Sequence, residues 1–150
     1  MKITEILMAE HAVFHNLFDH IEATVPQVRT LAEVKSLGLI MGKLMAPHSK
    51  TEDDLFIAPL EHCFDQIGQK ETFHDEHKLI DQTLEKVQKA TNLKTARATL
   101  LSAVATSRHH FDKEERIVFP MAERILKTRT LTELGTKWLE DRDKKLRQTK

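Results

Sequence analysis

Two stretches of this chain place a histidine and a glutamate four residues apart: HSKTE at His48–Glu52 and HFDKE at His110–Glu114. At about 100° per residue, positions i and i+4 share one face of a helix, so each pair presents an imidazole and a carboxylate to the same side. Each pair follows a lone histidine with a glutamate before it, Glu10-His11 and Glu76-His77. The chain thus repeats itself at an interval of 62 to 66 residues, from His48 to His110 and from His11 to His77. One His-x-x-x-Glu is expected by chance in a chain this rich in His and Glu; two of them, each with a matching lone histidine, form a constellation. Mixed imidazole and carboxylate donors suit iron, manganese or zinc, and the single cysteine, Cys63, excludes a thiolate site. Four histidines and two glutamates are too many for one tetrahedral ion. They fit two ions, each taking two histidines, with Glu52 and Glu114 as bridges. The competing reading is a metal-free polar network, and six such groups buried without an ion are hard to justify energetically.

The elements that must hold these residues are helical. Four Gly and four Pro in 150 residues leave little material for hairpins, and no alternating β-branched run is present. Thr4 is positioned to cap a first helix ending at Val25 before Pro26. Thr30 and Glu33 make a capping box for a second, from Leu31 to about His62, with a kink or break expected at Pro47. A third helix spans about Glu71 to Ala90, after Gly68. A fourth runs from Leu93 to about Lys127, bent at Pro120. Thr130 and Glu133 form a second capping box for a short helix through about Leu146. The expected fold is all-α, an up-down-up-down four-helix bundle over residues 3–127 with a short C-terminal accessory helix over 131–146, forming a single domain over 1–150.

The inward seams read Ile3, Leu7, His11, Phe14, Phe18, Ile21, Val25 in the first helix. The second reads Val34, Leu37, Met41, Leu44, His48, Glu52, Leu55, Pro59. The third reads Phe73, His77, Ile80, Leu84, Val87, and the fourth Leu100, Ala103, Ser107, His110, Glu114, Ile117, Met121. Every long helix therefore interrupts its apolar stripe with a histidine. His15 lies about 80° from the seam on the wheel, and it and His74 stand as further candidate ligands. His20, His62 and His109 read as solvated. Asp53 and Glu115 read as surface pairing partners rather than ligands. Leu7, Phe14, Leu44, Leu55, Phe73, Ile80 and Ile117 are the expected apolar wall. The tail helix around Trp138 reads as a lid over one bundle end, with a homodimer surface as the alternative.

Composition narrows the function classes. Lys+Arg and Asp+Glu both number 23, so no basic field is available to recruit nucleic acid or an anionic membrane. Charges stand too early in MKITEILMAEH for a signal peptide, and no apolar run approaches a membrane span, so a cytoplasmic location is expected.

At these residues the sequence resembles the hemerythrin-like HHE cation-binding domain family, over about residues 3–127. The matching motifs are EH11, H48SKTED with LFIAP, EH77, and H110FDKEE with VFP. The resemblance implies a left-handed four-helix bundle with a non-haem di-iron centre. It places the metal ligands on His11, His48, Glu52, His77, His110 and Glu114, with Zn or Mn as substitutes for the two irons. It also implies a small diatomic or peroxide ligand. The pattern departs from oxygen-carrying hemerythrins: Phe73 stands four before His77 where they have a histidine, and the fourth helix carries His-x-x-x-Glu. It is more similar to the six-ligand intracellular members. The roles this implies are binding O₂ or a related oxidant, with redox catalysis on peroxide or nitric oxide, iron-sulfur repair, or iron and oxygen sensing as alternatives.

Overall fold

A computed structural model describes residues 1–60 and 70–148. Among these, every element is helical: α1 (Ile3–Thr24), α2 (Leu31–Glu52), α3 (Lys70–Lys89), α4 (Leu93–Lys113), α5 (Phe119–Ile125) and α6 (Thr128–Gln148). Two π turns, Asp53–Ile57 and Glu114–Val118, continue α2 and α4 without interruption. The expected features at His62, Cys63 and Gly68 lie outside the described residues. Among the described residues, no helix is long and apolar enough to cross a membrane.

The local signals act as their chemistry requires. Thr30 Oγ1 accepts from the Glu33 N–H, and the Thr30 N–H donates back to the Glu33 carboxylate at 3.0 Å, a closed capping box. Asn92 caps α4 by accepting from the Thr95 N–H at 2.9 Å. Thr4, by contrast, is not a cap. Helix α1 has its N-cap two residues earlier, at Lys2, whose N–H donates to Glu5, and the Thr4 hydroxyl donates to Glu123 instead. Nor does the Thr130–Glu133 box form: α6 starts at Thr128, leaving Thr130 inside the helix, and Glu133 accepts from Arg129. The tail helix is correspondingly longer than the sequence suggested.

The helix does not break at Pro47. Helix α2 runs through Pro47, and its first π turn starts at Asp53, six residues on. Each π turn closes two residues before a proline, Pro59 or Pro120, and each starts at or just after a candidate ligand glutamate. Proline offers no N–H and crowds the carbonyl four residues back, and the wider i→i+5 turn relieves both. The Ala58 and Phe119 N–H groups donate to the carbonyls of Asp53 and Glu114. One extra residue per turn rotates everything downstream by about 100°. The inward seam beyond Glu52 is therefore Phe56 and Leu60, not Leu55 and Pro59. Beyond Glu114 it is Val118 and Ala122, while Ile117 is 44% exposed. Leu44 is also exposed, and Met41 and Met45 take the inward positions.

Among the described residues, the buried apolar side chains form two clusters. One contains Phe14, Phe18, Ile21, Val34, Met41, Ile80, Leu84, Leu100 and Val104. The other contains Ile3, Leu7, Phe56, Leu60, Phe73, Val118, Ala122 and Trp138. Along each of α1 to α4 the chain passes from one cluster to the other, and His11, His48, His77 and His110 stand at the crossing points. Helix α3 packs on α2 and α4, and α6 packs on α1 and the first π turn. Gly135 permits that last contact: a Cβ there would lie 2.4 Å from the Met1 carbonyl oxygen.

Candidate metal centre

Among the described residues, the only buried ionisable side chains are His11, His48, Glu52, His77, His110 and Glu114, none more than 4% exposed. They come from α1, α2, α3, α4 and the second π turn, yet they converge. Donor atoms of Glu52, His77, His110 and Glu114 all lie within 4.8 Å of one another, as do those of His11, His48 and Glu52. Glu52 belongs to both groups. His48 Nε2 and His77 Nε2 stand 3.6 and 3.5 Å from Glu52 Oε2, and His11 Nε2 and His110 Nε2 stand 3.5 and 3.1 Å from Glu114 oxygens. Each glutamate thus faces one histidine from either half of the repeat.

The opposite edge of every ring is tied to a carboxylate. Nδ1 of His48 meets Glu10 at 2.7 Å, and Nδ1 of His110 meets Glu76 at 2.8 Å. Nδ1 of His77 meets Asp53 at 3.1 Å, and Nδ1 of His11 meets Glu115 at 3.0 Å. Each of these acids is the sequence neighbour of a convergent residue, and each holds the histidine of an adjacent helix. An Nδ1–H donated to a carboxylate leaves the Nε2 lone pair facing inward, the tautomer a metal ligand needs.

On the inner side, partners run out. His11 Nε2, His48 Nε2 and both oxygens of Glu52 and of Glu114 are buried with no hydrogen-bond partner among the described residues. His77 and His110 satisfy their Nε2 atoms only with each other, at 2.7 Å. Six orphaned donor atoms in one place are a steep cost for a folded chain, and a cation ligated by them removes it. The donor set fits a first-row transition ion, as the sequence suggested.

The electrostatics are those of a site with too few positive charges. Burial opposes a charged His77, but its bond to Asp53 and the nearby Glu52 and Glu114 carboxylates win and push it up to about 10. His110 is raised as well, against burial, by Glu114 and Glu76. Burial pushes His11 down to about 3, keeping it neutral. The glutamates split. Burial opposes ionising Glu52, yet His77, His48 and His11 hold it down to about 2; Glu114 is raised by burial and by the Glu52 charge.

Among the described residues, five aromatic rings pack against these histidines. Phe111 stacks on His11 at 3.8 Å between centroids, Phe14 and Trp138 meet His48 at 5.0 and 5.7 Å, Phe119 lies 5.4 Å from His11, and Phe73 lies 5.9 Å from His110. Phe111, one residue after His110, was not on the expected wall, whereas Leu44 and Ile117 were and face solvent. His15 and His74 do not join the convergent groups. His15 Nε2 contacts Glu115 at 3.3 Å, and His74, whose side chain is 74% exposed, lies 3.5 Å from Asp53. His20 and His109 are exposed. Asp53 and Glu115 are not surface pairing partners: both are three-quarters buried and hold convergent histidines. Glu10 and Glu76, marked by the repeated Glu-His dipeptide but given no role from it, hold His48 and His110. A cleft of about 500 Å³ between α2 and α3, lined by Ser49, Asp53, His74, His77 and Asp81, brings solvent to the His77 side.

A model of the hemerythrin HHE cation-binding domain matches residues 2–122, which include all six convergent residues and both π turns. No curated protein and no solved structure matches the chain. With four-fifths of its length matched and a buried His/Glu cluster at the matching motifs, the chain belongs to the hemerythrin HHE cation-binding domain family.

Proposed function

We propose that this chain holds two non-haem iron ions between its helices and binds O₂ or a related small oxidant there. The six converging buried donors, four of them with orphaned inner atoms, carry this reading. His11 and His48 would hold one ion, His77 and His110 the other, with Glu52 and Glu114 bridging. Iron so held supplies redox chemistry toward small ligands at the positions the protein leaves open. The chain's own residues do the rest. Glu10, Asp53, Glu76 and Glu115 fix the ring tautomers. Phe14, Phe73, Phe111, Phe119 and Trp138 keep water from the inner face. The alternating passage of α1 to α4 between the two apolar clusters supports an up-down-up-down bundle as the scaffold. Metal analysis of protein from iron-supplemented cells, kept anaerobic and then exposed to air, tests the proposal. Two irons per chain and an oxo-to-iron absorption band after exposure are expected; well under one iron per chain and no band would sink it.

The charge balance adds a second expectation. One proton shared across the 2.7 Å between His77 Nε2 and His110 Nε2, with an Nδ1 proton on each ring for its carboxylate, would give the pair one proton more than two neutral rings. A metal ion must displace that proton. Loading at pH 7.5 should release at least one proton per chain, measured with an indicator dye in weak buffer; no release would contradict the pairing. The sign for folding follows. The raised His77 stabilises the metal-free chain below its unfolded value of 6.5, and this contribution is lost as pH rises through about 10. The gap between loaded and metal-free melting temperatures should widen from pH 6.5 to 9.

A further inference from the structure

Helix α6 lies beyond residue 122, outside the span the family model matches, yet it reaches the ring of carboxylates behind the histidines. Trp138 is fully buried and donates its Nε1–H to Glu10 Oε1 at 2.8 Å. Arg142 donates Nε–H to the same oxygen at 3.1 Å and Nη2–H to Oε2 at 3.0 Å. Oε2 is also the atom that His48 Nδ1 meets. The remaining arm of the guanidinium, Nη1, donates to the Pro47 carbonyl at 3.0 Å and to Thr51 Oγ1 at 3.2 Å, gripping α2 on both sides of His48. The Trp138 ring meets the His48 ring edge-on at 5.7 Å, and the guanidinium lies 4.7 Å over the indole.

Among the described residues, the other half of the repeat has no such support. Glu76, the counterpart of Glu10, is held by Lys113, a residue of α4 itself. Among the described residues, two halves that match in their inner residues thus differ in what fixes them: Glu76 is held from within α4, whereas Glu10 is held by a helix that follows the bundle.

We propose that α6 is a latch on the His48 half of the centre, with Trp138 and Arg142 as positioning residues that act through Glu10. Seating of α6 orients His48 for a metal ion, and by reciprocity an ion on His48 holds α6 in place. The inference rests on the reading of the six residues as a metal centre.

Trp138 is the chain's single tryptophan, so its fluorescence reports on one place. The test is titration of the full chain with Co²⁺, an air-stable paramagnetic probe, followed by calorimetry and by Trp138 emission. Wild type should bind two ions, one of them with strong quenching. Arg142→Met should weaken that quenching event about ten- to a hundredfold and leave the other within about twofold. Arg142→Lys should recover part of the loss, and Lys113→Met should weaken the non-quenching event instead. Trp138→Phe, followed by calorimetry, keeps a buried ring but removes the N–H donor, and should weaken one event only. Two binding events unchanged in Arg142→Met, or both weakened equally, would overturn the latch while leaving the metal centre standing. A wild type that takes up no cobalt would overturn the metal centre and the latch together.

Discussion

Two equivalents of a divalent transition metal should raise the melting temperature of this protein by at least about 10 °C, and a chelator should reverse the change. The expectation comes from what the fold buries. Six ionisable side chains sit between two apolar clusters, and six of their inner polar atoms have no hydrogen-bond partner among the described residues. An unfolded chain presents no such constellation, so an ion binds the folded state almost alone. At a thousandfold excess over Kd, one filled site contributes about 4 kcal/mol to stability. For a chain of this length each kcal/mol moves the midpoint by about 2–4 °C, and filling two sites passes 10 °C comfortably. Circular dichroism melts with and without metal read the shift directly. A change under about 2 °C, with bound metal verified by analysis, would mean that the polar cluster is satisfied in some other way.

Much of this centre was legible in the sequence because it interrupts a strong period. His11, His48, His77 and His110 occupy positions where the helical stripe calls for apolar residues, and the structure buries all four. The seams of α1 and α3 are correct from end to end for the same reason: neither helix contains an internal proline. The errors cluster downstream of Glu52 and Glu114, where a π turn shifts the phase by about 100°. Prolines at 59 and 120 announced a backbone problem, but a stripe read at constant 3.6 periodicity cannot register an inserted residue. The carboxylates behind the rings were hidden differently. Glu10, Asp53, Glu76 and Glu115 fall off the inward seam of their own helices, and their function appears only when a neighbouring helix brings a histidine to them. Trp138 and Arg142 were harder still, since a contact with Glu10 spans 128 and 132 residues of chain and no repeat marks it. The Thr130 box failed because capping is a competition among adjacent start positions, and the chain enters α6 three residues before the position such a box would set.

Replacing Glu114 with methionine should make the metal-free protein more stable and leave it unable to hold two ions. Glu114 is fully buried, neither oxygen has a hydrogen-bond partner among the described residues, and burial together with the Glu52 charge opposes its ionisation. In the absence of metal it is a liability, and an apolar side chain of similar length removes the cost while filling the same space. The expected gain is about 1–3 kcal/mol, several degrees in melting temperature. Glu52 occupies the matching place in the repeat but should behave oppositely. Its charge, held down to about 2, neutralises the proton on the His77 pair, so Glu52→Met strands a buried positive charge and should cost about 3–5 kcal/mol. Either substitution deletes a bridge, and calorimetry should find at most one ion bound in each variant. The pair of variants therefore separates two roles that the repeat makes look identical: Glu114 serves chiefly the metal, whereas Glu52 also holds the metal-free core together. A metal-free Glu114→Met protein less stable than wild type, or one that still binds two ions, would show that the carboxylate earns its place by some interaction within the bundle.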